Sequence, residues 1–204
     1  PDAPSWQSAH LDSFTDIALG DVDGDQDLDL AASGNLAPFQ PPGSTSPAPS
    51  RLFLNEDGTF SDRPVWTSSL SHYGRSLRWG DSDGDGDLDL LVGHGSGAAL
   101  YANAAGLLAA GTPWKSAPMA VSAVDWADVD GDGDLDFAVG SGDGAPISLF
   151  TNDAGSFSAE PNWRTERQDI RAHSLLWADY DGDGDPDLFA GDGPSLYVNV
   201  GGAL

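Results

Sequence analysis

Apolar residues enter this chain in short bursts of strand length, each cut off by glycine, asparagine or aspartate, and no stretch carries a helical period. One set of bursts reads Ile17-Ala18-Leu19-Gly20, Leu77-Arg78-Trp79-Gly80, Val124-Asp125-Trp126-Ala127 and Leu175-Leu176-Trp177-Ala178. A second runs Leu28 to Ala32, Leu88 to Val92, Leu135 to Val139 and Leu188 to Ala190; a third is Arg51 to Asn55, Leu100 to Asn103, Leu149 to Asn152 and Leu196 to Asn199. The asparagines open turns that end at Gly58, Gly106, Gly155 and Gly202, residue types that tolerate the left-handed backbone of a hairpin. A fourth burst passes Phe60 or Phe157 on its way to Trp66, Trp114 and Trp163. The order recurs four times, so the pattern predicts an all-β chain of four repeats, about fifty residues each, every repeat a four-stranded antiparallel blade of a β-propeller.

Between the first and second burst of every copy lies a nine-residue run of alternating aspartates. The runs are Asp21, Asp23, Asp25, Asp27 and Asp29; Asp81, Asp83, Asp85, Asp87 and Asp89; Asp128, Asp130, Asp132, Asp134 and Asp136; and Asp179, Asp181, Asp183, Asp185 and Asp187. Five carboxylates so close together repel one another, and a folded chain tolerates them when a hard dication sits among the oxygens. Four runs imply four calcium ions. Their first residues are 60, 47 and 51 positions apart, and the excess in the first interval is Gly34 to Ser50, whose proline- and serine-rich composition predicts a loop between the second and third strands.

The runs hold twenty of the 33 acidic residues, so much of the formal charge of -25 is ligand rather than solvated tail, and four dications would offset eight units of it. What remains, with Lys115 the one lysine beside seven arginines, argues against nucleic acid or an anionic membrane as a partner. The chain has no cysteine, hence no disulfide framework and no zinc thiolate site. Calcium indicates the compartment instead: loop-only sites of this kind dissociate at ~10⁻⁴ to 10⁻³ M, which predicts a secreted or cell-surface protein, extracellular or periplasmic. The opening Pro1-Asp2, with no methionine, signal peptide or membrane span, fits a processed or excised segment.

Blade pattern and aspartate loop together resemble the FG-GAP or VCBS-type calcium-binding β-propeller repeats, with Asp81-Ser82-Asp83-Gly84-Asp85-Gly86-Asp87-Leu88-Asp89 fitting that loop at every position. The resemblance covers essentially the whole chain; integrin alpha-chain propellers and several lectins belong to the same group. It implies that the first, third, fifth and ninth aspartates donate side chains and that Asp27, Asp87, Asp134 and Asp185 lend backbone oxygen only. Gln26 departs from the pattern where Gly86, Gly133 and Gly184 stand, at a position expected to need positive φ, so the first site is expected to bind weakest. Pro186 departs in the fourth run, where it removes a backbone donor. An EF-hand begins in the same way, but its twelfth position requires a bidentate glutamate, and here that position is Ala32, Val92, Val139 and Ala190.

One domain over residues 1–204 is expected, with blades at about 7–66, 67–114, 115–163 and 164–204. Pro4-Ser5-Trp6 resembles Pro64-Val65-Trp66, so residues 1–6 are expected to supply the last blade's fourth strand and close a monomeric ring; the alternative is a homo-oligomer that completes a larger ring. The recurrent tryptophans read as packing between blades. By the family analogy the calcium turns share one face, leaving variable loops opposite, where Phe39, His72, Tyr73, Arg75, His94, Arg171 and His173 are candidate ligand-binding residues. No cysteine nucleophile, Gly-x-Ser-x-Gly elbow, phosphate loop or His-Glu-x-x-His motif is present. The expectation is a non-catalytic binding module for carbohydrate or a protein partner, lectin-like or adhesion-like. The alternative is the propeller portion of a secreted polysaccharide-degrading enzyme.

Overall fold

The computed structural model describes residues 5–9, 13–36, 47–111, 113–167, 169–191 and 193–204. Among them there are strands and turns and no helix. The first repeat contains β1 (Ser13–Gly20), β2 (Asp29–Leu36) and β3 (Ala48–Phe53), then a short pair, β4 (Asn55–Glu56) and β5 (Thr59–Phe60), and finally β6 (Trp66–His72); β1, β2, β3 and β6 form the first sheet. The second comprises β7 (Gly74–Gly80), β8 (Asp89–His94), β9 (Gly97–Tyr101) and β10 (Trp114–Lys115). The third has β11 (Ala123–Ala127), β12 (Asp136–Gly140), β13 (Ser148–Phe150) and β14 (Trp163–Arg164); the fourth has β15 (Leu175–Ala178), β16 (Asp187–Ala190) and β17 (Ser195–Tyr197). Strand order is β1-β2-β3-β6, β7-β8-β9-β10, β11-β12-β13-β14 and β15-β16-β17, antiparallel throughout, with β4-β5 a separate two-stranded ribbon.

One register repeats in all four sheets. The residue before the first aspartate pairs with the ninth: Gly20 with Asp29, Gly80 with Asp89, Ala127 with Asp136 and Ala178 with Asp187. Each acidic run is thereby held as the hairpin loop of strands one and two. The core lies between sheets rather than within them. Leu52 and Trp66 of the first sheet pack with Leu77, Leu90 and Tyr101 of the second; Leu91 and Leu100 with Val124, Phe137 and Phe150 of the third; Ala123 and Ile147 with Leu175 and Leu188 of the fourth. Burying each such Leu or Phe contributes about 1.5–3 kcal/mol, so the stack order is fixed by these faces.

The recurrent tryptophans serve this packing, as their periodicity implies. Trp66 meets Tyr101 edge-on at 5.0 Å, Trp114 meets Phe150 at 5.8 Å and Trp163 meets Tyr197 at 6.1 Å, each reaching from one sheet to the next. First strands of successive sheets also run side by side, and there Arg78 reaches Asp16 at 3.2 Å and Asp125 at 3.5 Å, tying three sheets through one guanidinium.

Some boundaries differ from the sequence pattern. Strand β2 runs to Leu36 and β3 begins at Ala48, so Gly34–Leu36 and Ala48–Ser50 are strand rather than loop; cross-strand pairing such as Phe14 with Gly34 overrides the composition. Third strands stop two residues before their asparagines. Phe60 lies in the β4-β5 ribbon and Phe157 bridges Asn152, so fourth strands begin at the tryptophans instead. In the fourth sheet the described residues supply three strands, and Trp6 lies against Phe53 of the first sheet at 5.4 Å and Phe60 of the β4-β5 ribbon at 5.2 Å.

Candidate functional site

Backbone amides fold each acidic run around its own carboxylates. In the second run Asp81 accepts from Gly84 at 2.8 Å and Gly86 at 3.0 Å, Asp83 from Asp85 at 3.3 Å and Asp85 from Asp87 at 2.9 Å. Identical bonds recur in the third and fourth runs through Asp128 and Asp179, and in the first through Asp21. The sixth residue has positive φ in every loop: Gln26 at 77°, Gly86 at 94°, Gly133 at 98° and Gly184 at 99°. Gln26 therefore bears the strain of a side chain in the left-handed region.

The ninth aspartate is buried in all four loops and anchors two segments. Asp89, for instance, accepts from Ser82 N–H at 2.9 Å and from Asn103 N–H at 2.7 Å, joining its loop to the turn after strand three. The seventh aspartate has a role the spacing does not reveal. Its side chain accepts the N–H of the same turn, Asp27 from Asp57 and Asp87 from Ala105 at 2.6 Å, Asp134 from Ala154 at 3.2 Å and Asp185 from Gly201 at 2.7 Å. Pro186 precedes β16, and its carbonyl accepts from Asn199 at 3.3 Å.

Carboxylate oxygens converge within 4.8 Å of one another in four groups: Asp21, Asp23 and Asp29; Asp81, Asp83 and Asp85; Asp128, Asp130 and Asp136; Asp179, Asp181 and Asp187. Three hard oxygens so placed, on a loop with further carboxylates beside them, form a donor set that could hold a metal ion of the calcium type. The electrostatics agree with that fit. Burial pushes Asp136 up to about 6, and Asp130 and Asp132 add to the rise; Asp29 is raised by burial as well. A dication among these oxygens would favour the charged forms again.

A family model described as FG-GAP-like repeat matches residues 41–92 and 128–190, more than half of the chain. The chain belongs to the FG-GAP-like repeat family. The matched stretches include the second, third and fourth acidic runs and leave out the first, the one that carries Gln26. Compared with curated proteins, the sequence matches none of them. FG-GAP-like repeats are typical of extracellular proteins, and no helix among the described residues is long and apolar enough to cross a membrane.

At the sheet ends opposite the acidic loops, the FG-GAP-like chain brings together four of the candidate ligand residues. His72 ends β6 and His94 ends β8, and their rings stack at 3.8 Å with 5° between planes. Two adjoining clefts share His72 and Ser96. One, about 300 Å³, has His94, Lys115 and Ser116 in its wall; the other, about 440 Å³, has Tyr73 and Arg75. Burial pushes both imidazoles down to about 4, with Lys115 contributing at each. Lys115 is a member that sequence reasoning did not single out, because it joins the group through β9-β10 pairing rather than through a loop. Arg171 lies elsewhere, beside Arg167 and Asp169 in a small cleft of about 60 Å³, and His173 leans on Gly142. Phe39 lies outside the described residues. A further cleft of about 400 Å³, lined by Pro118, Met119, Pro146 and Arg164 among others, opens between the β10–β11 connection and the third sheet without any motif to mark it.

Proposed function

We propose that these FG-GAP-like repeats are four blades of a calcium-loaded β-propeller, secreted or displayed at the cell surface, acting as a non-catalytic binding module for carbohydrate that carries an anionic group. The first, third, fifth and ninth aspartates of each run would hold calcium, four ions in all. Bound there, the ion would offset two of the run's five negative charges and stabilise the native hairpin, since it binds the folded form alone.

The observation that carries the ligand reading is the double cleft at the His72–His94 stack. On a chain of formal charge -25, Arg75 and Lys115 both face this one region, beside imidazoles, hydroxyls and the Tyr73 ring. Cations at the rim suit a carboxylate or sulfate on the ligand, while ring faces and hydroxyls suit the pyranose. A glycan-array screen in millimolar calcium, repeated in chelator and with Arg75→Ala and Lys115→Ala, tests it. Selective binding to acidic glycans, lost in both variants, is the expected result. A blank array from a folded, calcium-loaded sample would overturn the carbohydrate reading.

A further inference from the structure

Each internal junction between sheets repeats one set of contacts. The asparagine after the third strand reaches back to the acidic loop of the preceding sheet: Asn103 Nδ2 donates to the Val22 carbonyl at 2.8 Å, Asn152 to Ser82 at 2.7 Å and Asn199 to Val129 at 2.7 Å. The glycine three residues on sits so close to that loop that a Cβ on Gly106, Gly155 or Gly202 would stand 2.8, 2.9 or 3.1 Å from Asp23, Asp83 or Asp130. A fourth-strand tryptophan pairs with the third strand of its own sheet and covers the aromatic of the next, as Trp66 does between Leu52 and Tyr101.

Among the described residues no fourth junction forms, yet both of its halves are present. On the first sheet Asn55 Nδ2 keeps the within-sheet Leu28 carbonyl at 3.2 Å, and nothing lies within 4 Å of a Cβ on Gly58. Ile17 is 61% exposed where its counterparts Leu77 and Val124 are fully buried, and Leu19 is 54% exposed. On the fourth sheet Tyr180 is 66% exposed where Val22 and Val129 are 1%, and Leu176 is 60% exposed. Among the described residues no strand pairs with the outer edge of β17, and Leu196 there corresponds to Leu52, Leu100 and Leu149, which pair with Trp66, Trp114 and Trp163. Trp6 already stands on Phe53 as those tryptophans stand on the next sheet. An open edge and apolar exposure at both ends of a stack, each end the complement of the other, describe an unfilled interface.

We propose that a second copy of this chain fills it, head to tail: the first sheet of one copy seats on the fourth sheet of the other, with Trp6 opposite Leu196, Asn55 Nδ2 on the Tyr180 carbonyl and Gly58 over Asp181. The occupant is the second copy because Ile17, Leu19, Leu176 and Tyr180 are each more than half exposed in the single chain, so these parts of its two ends do not meet, and each end carries the repeat equivalents of the groups that join successive sheets at the internal junctions; on the first sheet Ala32 and Phe53, the latter under Trp6, are already covered. Such an interface is heterologous, using different surfaces on the two partners, and two copies that close upon one another leave no free end.

Sedimentation velocity and light scattering in millimolar calcium, over a dilution series, test the proposal. The expected species has twice the 21.1 kDa chain mass or a higher multiple. Ile17→Arg and Leu176→Arg each remove one face; both positions are exposed, so each variant should melt as a folded single chain and run at monomer mass. An equimolar mixture of the two retains one intact pair of faces and should form a heterodimer. Gly58→Ala, which meets no atom in the single chain but places a side chain at φ 82°, should lower the melting temperature of the single chain slightly and weaken association as well. A wild-type chain that stays at monomer mass at every concentration would overturn the proposal, and so would a mixture of the two arginine variants that stays monomeric. Mass is read without any sugar, so a failed glycan screen and a failed assembly are separate results.

Discussion

Asn152→Ala and Asn55→Ala alter the same repeat position in two different settings, and the difference between them measures what the cross-sheet bond to Ser82 and the Gly155 bond contribute together. Asn152 is buried; its amide donates to Ser82 of the second sheet at 2.7 Å and to Leu135 of its own at 3.1 Å, and its Oδ1 accepts from Gly155 N–H at 2.8 Å. Truncation removes three side-chain bonds at about 1 kcal/mol each, or ~3 kcal/mol. Asn55 is half-buried, and its side chain has the single 3.2 Å bond to Leu28, so its truncation costs about 1 kcal/mol. The gap of ~2 kcal/mol corresponds to roughly 4–8 °C in melting temperature for a domain of this size. Thermal and chemical denaturation in calcium, both on a Leu176→Arg background to keep the chain single, would read it. Equal losses in the two variants would refute the reasoning, because the bond that crosses to Ser82 and the bond from Gly155 would then contribute nothing beyond the one shared with Asn55.

Gln26→Gly should stabilise the chain: it relieves a left-handed side chain worth about 1 kcal/mol, offset by ~0.4–1 kcal/mol of added freedom in the unfolded chain, while Gly86→Gln should destabilise by about 1 kcal/mol; a melting-temperature ranking with Gly86→Gln above wild type would contradict this. His72 and His94 face Lys115, Arg75, Tyr73 and Ser96, and burial holds both imidazoles near 4 against an ordinary 6.5. Depressed pKa values favour the neutral rings in the fold, so their contribution is complete above about 6.5 and is lost as pH falls toward 4; the stability difference between wild type and His72→Gln should shift across that window and be flat above it. Chelation should lower the melting temperature sharply, and an unmoved curve would remove calcium from the account of stability. Asp136→Asn, which weakens one loop, should also weaken calcium binding at the remaining loops in a titration; unchanged affinity there would show the loops to be independent.

What the sequence made legible was everything confined to a repeat. The acidic runs, the strand bursts around them, the positive φ at Gln26 and the packing role of the tryptophans follow from residues within a few positions of one another or at equal positions in successive copies. What it hid runs between repeats. Arg78 bridges Asp16 and Asp125, positions 62 and 47 residues away, and Asn103 reaches Val22 across 81 residues. An asparagine before a glycine reads locally as turn chemistry, so its cross-sheet amide bond is invisible until the sheets are stacked. His72 and His94 stack for a comparable reason: β6 and β8 belong to different sheets whose ends meet. The side chains of Asp27, Asp87, Asp134 and Asp185 were obscured by a pattern in which every second residue is aspartate.

Loop and junction are one hydrogen-bonded system. Val22 donates its N–H to Asp29 at 2.9 Å and offers its carbonyl to Asn103, whose own N–H is held by Asp89 at 2.7 Å. Asp89 in turn holds Ser82, whose carbonyl takes Asn152, whose N–H is held by Asp136. Val129 and Asn199 extend the relay to Asp187, which holds the Tyr180 N–H at 2.7 Å. Each buried aspartate thus fixes one peptide of its own loop and one asparagine that grips the loop before it. A cation bound at one run would therefore order the donor that secures the preceding run, and the coupling would pass along the stack by nearest neighbours, as in other repeat arrays. Among the described residues the relay begins at Asn55, whose amide donates to Leu28 of its own sheet, and ends at the Tyr180 carbonyl, so joining those two ends would make every loop equivalent to its neighbours.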